Sequence, residues 1–283
     1  MSVSNKLIIS AALTGALTPK SVCPSLPVTP EEIAADVVAC AKAGAAAVHI
    51  HVRDDECRYT METQRFVDAF EAIKAACLRE NVDIIVNLTT SNGPGTDEIR
   101  LAHLEKLRPE MCSYDAGTFN WGSSIFENSP VFLEKLGKAT QEWDIKPEIE
   151  VFDASMVGNA VRLIKRGFLK APAHFQLVLG IGEGGLDGNI ESVNYLLSKL
   201  PAGSTWSITG IGKTHMPCLL AGLAAGCDGI RVGIEDNIYL SKGVLATNVQ
   251  LVERAVAIAK LAGREIATAA EARQILGITR KGW

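Results

Sequence analysis

The chain has 283 residues, 47% of them apolar and 21% charged, with a net charge of -4. That balance describes a globular chain with ample material for a core, and no basic stripe interleaved with aromatics points to nucleic acid. The sequence carries no apolar run of about 18 residues and no signal-like opening segment, so the expectation is a cytoplasmic protein without a membrane partner. The seven cysteines (Cys23, Cys40, Cys57, Cys77, Cys112, Cys218 and Cys227) are odd in number, scattered and free of any CxxC. They read as small packing residues in a reducing compartment rather than a disulfide framework.

In chain order, the first strand reads KLIISAAL (6–13). A helix follows in TPEEIAADVVACAKAG: Thr29 is placed to cap it, Pro30 suits its first position, Glu32 completes a capping box, and Gly44 ends it. AAVHIHV is the second strand and VDIIVNLT the third, with a helix over 96–106. EMCSYDA is the fourth strand, followed by a helix over 130–141, and KPEIEVF the fifth, followed by SMVGNAVRLIKRG. AHFQLVLG and NIESVNYLLSKL, then STWSITG and MPCLLAGLAAG, make the sixth and seventh units. DGIRVG is the eighth strand, followed by a helix over 248–262 and a last short helix at Thr268, where Thr268 and Glu271 repeat the capping-box spacing.

Eight β-α units without a composition break predict one (β/α)₈ TIM barrel over residues 1–283. A doubly wound sheet is the runner-up. It calls for a glycine-rich fingerprint after the first strand, and TGALTPK does not supply one. The barrel requires its chemical residues at the C-terminal strand ends.

The second strand ends in His49-x-His51. Residues i and i+2 of a strand share a face, so His49, His51 and Arg53 point inward while Val48, Ile50 and Val52 pack against helices. Two imidazoles at that place can bind one divalent metal, the bland alternative being a hydrogen-bonded pair in the core. The eighth strand ends in RVGIEDN, where Glu235 or Asp236 can supply a carboxylate ligand beside Arg231. Of the remaining histidines, His103 falls on the helix after the third strand and reads as surface. His174 starts the sixth strand, at the wrong end. His215 lies in the loop after the seventh, where a substrate or cofactor contact is possible.

Other loops at the same end offer weaker signals. NLTTSNGPGT carries Thr89, Thr90 and Ser91 as hydrogen-bond donors, and YDAGTFNWG carries Thr118 and Asn120; turn chemistry alone also explains such residues. TGIGKTH is not a P-loop, because position 207 is serine where the motif needs glycine. Phosphate contact through Gly212 still suits a barrel. FNWGSSIF reads as an interface or a substrate cover.

AALTGA, VHIHVRD, YDAGTFNWG, TGIGKTH and IRVGIEDN, in this order along essentially the whole chain, resemble the β-keto acid cleavage enzymes. The resemblance implies a zinc-dependent barrel that converts a β-keto acid and acetyl-CoA to acetoacetate and a new acyl-CoA, through condensation, transfer of CoA within the adduct and retro-Claisen cleavage. It implies that His49, His51 and Glu235 hold zinc, and that Arg231 and Asp236 assist deprotonation with a hydroxyl at Thr89. It also implies that Thr118 belongs to the substrate site and that the protein is a homo-oligomer, with a tetramer favoured. A relative with an amino-bearing substrate has a glutamate after TGA, where this chain has Leu17. An ammonium facing leucine is desolvated without a partner, so a neutral, largely apolar tail is expected. Lys20 leaves a carboxylate tail open.

The rivals are a metal aldolase that does not use CoA and an amidohydrolase-like barrel. The latter carries its His-x-His on the first strand rather than the second. A non-enzymatic barrel with packed histidines is the third. Gathering Arg231, Glu235 and Asp236 at one strand exit argues against it, because enclosed polar groups are costly unless paired or used.

Overall fold

Thr29 accepts a hydrogen bond from the Glu32 amide, Glu32 returns one to the cap, and Gly44 closes the helix at φ 119°. Such start and stop signals recur, and between them the strands close into a ring. The computed structural model describes residues 5–91 and 96–281. The strands are β1 (Ile8–Ala12), β2 (Ala47–Ile50), β3 (Ile85–Leu88), β4 (Met111–Asp115), β5 (Lys146–Val151), β6 (His174–Leu179), β7 (Thr205–Gly210) and β8 (Gly229–Val232). Each pairs in parallel with its neighbours, and β1 pairs with both β2 and β8, so the barrel is closed. The helices are α1 (Pro30–Ala43), α2 (Thr63–Glu80), α3 (Asp97–Leu107), α4 (Pro130–Glu142), α5 (Ala154–Lys165), α6 (Ile190–Leu197), α7 (His215–Ala224), α8 (Asn248–Leu261) and α9 (Ala269–Leu276).

The expected TIM barrel is therefore the fold. α2 fills an interval for which the sequence pattern names no element. It buries Phe66, Ala69, Ile73, Ala76 and Cys77 at helical spacing, but its N-cap is Glu62, which makes no side-chain cap bond. The usual Ser/Thr/Asp/Asn start signal is missing there.

The N-terminal end of the barrel is shut. α9, capped by Thr268 and Glu271 as expected, packs Ala272 and Leu276 against Ile8, Ala47, Ile85 and Met111. Its Arg273 reaches Glu110 at 2.7 Å and Asp83 at 2.7 Å. This end is built for stability, which leaves the other for chemistry. All seven cysteines are unpaired, six of them buried and Cys57 half-buried.

His103 corrects the surface expectation. It is 0% exposed, stacks on Phe66 with ring centroids 4.0 Å apart, and its Nε2 lies 2.9 Å from the Thr89 carbonyl. The face of α3 that carries it packs towards α2, so a reading without α2 leaves it no partner. His174 is buried at the closed end, with its ring nitrogens 2.9 Å from Thr205 Oγ1 and 3.1 Å from Ser207 Oγ. Burial holds both imidazoles down at about 3, against 6.5 when free. The unfolded chain therefore binds more protons in that interval, and stability is full above pH 6.5 and lost as pH falls towards 3. Buried carboxyls such as Glu148, raised to about 7, and Asp115, raised to about 6, pull the other way over the same interval. The test is therefore a comparison: the wild type is expected to lose melting temperature more steeply than His103→Phe as pH falls from 6.5. Parallel profiles in the two proteins would show that this ring titrates without cost to the fold.

Candidate active site

A cavity of about 450 Å³ opens at the C-terminal strand ends. His49 and His51 enter it from β2, as the alternation requires, while Val48 and Ile50 lie in the core between strands and helices. His51 follows the last paired residue of β2, so its backbone needs another partner. Thr14 supplies it: the Thr14 hydroxyl accepts from the His51 amide at 2.7 Å and donates to the His51 carbonyl at 2.9 Å. Arg53 then ties the same loop, donating to the carbonyls of Thr14 and Gly15 at 3.1 and 2.8 Å. Gly15 has φ +56°, and a Cβ there would lie 2.8 Å from Glu235 Cγ. The glycine of LTGA thus allows Glu235 to approach the histidines.

Glu235 Oε1 lies 3.7 Å from His49 Nε2 and 3.5 Å from His51 Nε2. Those distances are long for hydrogen bonds. They match ligand atoms held at about 2.0–2.1 Å around one tetrahedral ion, which sit about 3.4 Å apart. Glu235 Oε2 and both Nδ1 atoms are buried without a protein partner. Burial holds His49 down at about 3, so its ring is neutral and free to ligate. Burial opposes the Glu235 charge, but the Arg231 guanidinium outweighs it and holds the carboxyl well below its usual range. Two imidazoles and one carboxylate fit zinc.

Arg231, 2% exposed, is the hub. Its Nη2 meets Glu235 Oε1 at 2.6 Å, its Nε and Nη2 grip the two Asp236 oxygens at 2.9 Å, and its Nη1 reaches Glu150 at 3.2 Å. Thr209 adds a bond to Asp236 Oδ2 at 3.0 Å. Burial raises the Asp236 carboxyl, and Arg231 limits that rise. Thr89 and Ser91 line the cavity; Ser91 Oγ is 2.6 Å from Tyr59 OH. Residues 92–95, the rest of that glycine-rich loop, lie outside the described residues. Gly212 is on the rim, and its amide donates to the Asp236 carbonyl at 2.8 Å.

Four expected site residues lie elsewhere. Thr118 and Asn120 are exposed, and Thr118 Oγ1 accepts from the Asn128 amide. The segment Phe119–Trp121 pairs with Ser124–Phe126 as a hairpin. Period-two alternation turns Phe119 and Trp121 inward and their neighbours out. Thr90 is spent on the Ser113 carbonyl at 3.0 Å, joining β3 to β4. His215 is the first residue of α7, 1% exposed, with Nδ1 3.4 Å from Arg254, and it does not line the cavity.

Sequence reasoning also missed residues. Asp115 and Glu150 stand side by side in the β4–β5 register and both line the cavity. The signal was available: Glu148 and Glu150 recur with period two inside an apolar strand, so both face the barrel interior. Trp121 and Phe126 of the hairpin, with Phe152, add aromatic surface to a wall that Val178, Ile211, Ile234 and Ile238 also line. FNWGSSIF is therefore a cover over the cavity.

The pattern of the beta-keto acid cleavage enzymes matches residues 6–278. The chain belongs to the β-keto acid cleavage enzyme family. It is thus an enzyme of carbon–carbon bond cleavage, and the polar cluster just described lies at the end of the barrel where such chemistry belongs. This family member is 41% identical to the 3-keto-5-aminohexanoate cleavage enzyme of Fusobacterium nucleatum over 97% of this chain and 99% of that one. It is 33% identical to the 3-dehydrocarnitine:acetyl-CoA trimethylamine transferase of Rhizobium meliloti over 99% of each. In structure it resembles ObcA in a ternary complex with a C4-CoA adduct and oxalate, with a TM-score of 0.78 at 24% identity, over 90% of this chain and 68% of that one. That likeness concerns the fold.

Proposed function

We propose that this enzyme uses acetyl-CoA to cleave a β-keto acid with a neutral, largely apolar tail, releasing acetoacetate and the shortened acyl-CoA. The observation that carries the reading is the contact of one buried arginine with both a candidate zinc ligand, Glu235, and a candidate base, Asp236. His49, His51 and Glu235 would hold the zinc. When bound, zinc supplies a Lewis acid that lowers the cost of charge on the keto oxygen.

Asp236 takes a proton from the carbon between the two carbonyls. Arg231 and Thr209 fix the Asp236 carboxyl, and burial makes it a stronger base than an exposed aspartate. That carbon forms a bond to the acetyl carbonyl, and the CoA thiolate then passes to the substrate's keto carbon. The original carbon–carbon bond breaks, and Asp236 returns its proton to the departing acetoacetate carbon. Thr89, buried at the wall, offers its hydroxyl to the substrate oxygens. Gly212 leaves the rim beside Asp236 without a side chain, a route for the CoA arm.

Leu17, 69% exposed on the cavity rim, offers no charge to a tail. Lys20 turns away and pairs with Glu32 at 2.5 Å. The hairpin aromatics and Phe152 supply apolar contact instead. Among the described residues no helix is long and apolar enough to cross a membrane. A cytoplasmic homo-oligomer, most simply a tetramer, completes the reading.

Incubation with acetyl-CoA and a panel of β-keto acids, followed by mass spectrometry, tests it. Acetoacetate and the new acyl-CoA are expected in equal amounts, with 3-oxohexanoate turned over faster than 3-keto-5-aminohexanoate. Cleavage without acyl-CoA would point to an aldolase, and a preference for the amino substrate would overturn the Leu17 argument.

A further inference from the structure

Asp115 is an unused carboxyl on the cavity wall. It ends β4, is 4% exposed, and its Oδ2 is buried with no hydrogen-bond partner. Arg100, the cation that acts on it most strongly, makes its hydrogen bonds elsewhere: Nε to the Thr90 carbonyl at 2.8 Å, Nη1 to the Glu127 carbonyl at 3.2 Å and Nη2 to Asn128 Oδ1 at 2.6 Å. Arg231 is committed to Glu150, Glu235 and Asp236. A buried acceptor left unsatisfied is costly, and such groups persist where a ligand completes them. None of the steps assigned to Asp236 and Arg231 needs a second carboxyl.

Its position suggests what completes it. The candidate zinc ligands come from β2 and the exit of β8, and β4 stands across the barrel from β8. The hairpin that follows β4 and Phe152 that follows β5 line the same cavity as Asp115. A β-keto acid held by its keto and carboxylate oxygens at the histidines extends its tail towards this wall, where Asp115 offers an unpaired acceptor beside the Arg231-bound Glu150, and Trp121, Phe126 and Phe152 line the same cavity.

We propose that Asp115 is a specificity-determining residue that accepts a hydrogen bond from a hydroxyl on the tail of the β-keto acid. This rests on the reading of the enzyme as an acetyl-CoA-dependent cleavage enzyme, and it narrows the substrate class to hydroxylated 3-oxo acids. The donor is neutral because Glu150, the carboxyl beside Asp115, is already paired with Arg231 at 3.2 Å, Leu17 offers no charge to the tail, and Lys20 is paired with Glu32. Burial raises the carboxyl to about 6, with Arg100, His51 and Arg231 limiting the rise. The group accepts a hydrogen bond whether or not it is ionised.

The test compares kcat/KM for 3-oxohexanoate, 5-hydroxy-3-oxohexanoate and 3-keto-5-aminohexanoate in the wild-type protein and in Asp115→Asn and Asp115→Leu. The wild type is expected to prefer the hydroxylated substrate over the plain one by roughly tenfold or more, the effect of a hydrogen bond to a carboxylate. Asp115→Asn keeps an acceptor and retains part of that ratio. Asp115→Leu brings it to about one. Equal use of the plain and hydroxylated acids by the wild type overturns the inference, as does an unchanged ratio in both variants. Preference for the amino acid analogue overturns the neutral donor. If Asp115→Leu does not fold, the wild-type ratio and Asp115→Asn still decide. Formation of acyl-CoA from 3-oxohexanoate reports separately on the reaction class, so failure there is distinguishable from failure of the Asp115 assignment.

Discussion

Replacing His49 or His51 with alanine is expected to abolish stoichiometric zinc and to lower kcat/KM by on the order of a thousandfold or more. Both rings are buried, both place Nε2 within 3.7 Å of one Glu235 oxygen, and neither Nδ1 has a protein partner. The packed histidines His103 and His215 also leave one ring nitrogen unpartnered but hydrogen-bond through the other, whereas His49 and His51 direct both Nε2 atoms at one Glu235 oxygen beyond hydrogen-bond distance. Metal analysis of purified protein gives a readout independent of turnover: about one zinc per chain in the wild type and far less in either variant. Glu235→Gln separates ligation from charge. It keeps the size of the side chain but offers a weaker ligand, so zinc affinity should fall while the barrel stays folded. Full zinc content in all three variants would place the ion elsewhere. Zinc lost from the His49 variant alone would point instead to His49 with Glu148 and Glu150, whose ligand atoms lie within 4.8 Å of one another.

The parts of this site legible in the sequence are those governed by short-range periodicity. His49 and His51 share a face because strands alternate, and Arg231, Glu235 and Asp236 fall at one strand exit because β8 ends there. Capping residues likewise placed α1 and α9. The misplacements have equally local causes. Thr118 and Asn120 were expected to face substrate, but a hairpin starting at Phe119 inverts them. A helix beginning at His215 rather than Met216 takes that histidine from a loop into the packed layer behind β7. Asp115 and Glu150 escaped for a different reason. A carboxyl in a strand is written with the same letter whether it is solvated or enclosed. Only the closed register, which sets Asp115 beside Glu150 on the cavity wall, distinguishes the two. His103 needed α2, an element without the usual capping signal.

Arg231→Met is expected to affect both stability and turnover. Arg231 contacts Glu150, Glu235 and Asp236, and among the described residues no other arginine or lysine makes an ion pair with any of the three. Removing one partner from a buried ionic cluster leaves uncompensated charge, which costs about 3–5 kcal/mol. The variant should therefore unfold at markedly lower denaturant, with activity down by on the order of a thousandfold or more because Asp236 loses its fork. Asp236→Asn is the complementary change. It removes the base but retains an oxygen for Arg231 and removes a negative charge from a crowded site, so it should stay folded while losing comparable activity. Arg231→Lys restores the charge without the planar fork and should recover more stability than turnover. The three variants together separate two roles that one side chain combines. If the lysine recovered both fully, Arg231 would act only as a counter-charge, and the orientation of Asp236 would have to come from Thr209. If the methionine variant were as stable as the wild type, the three carboxyls of that variant would have to be neutralised by protons, and the ionised state of Asp236 would depend on Arg231 alone.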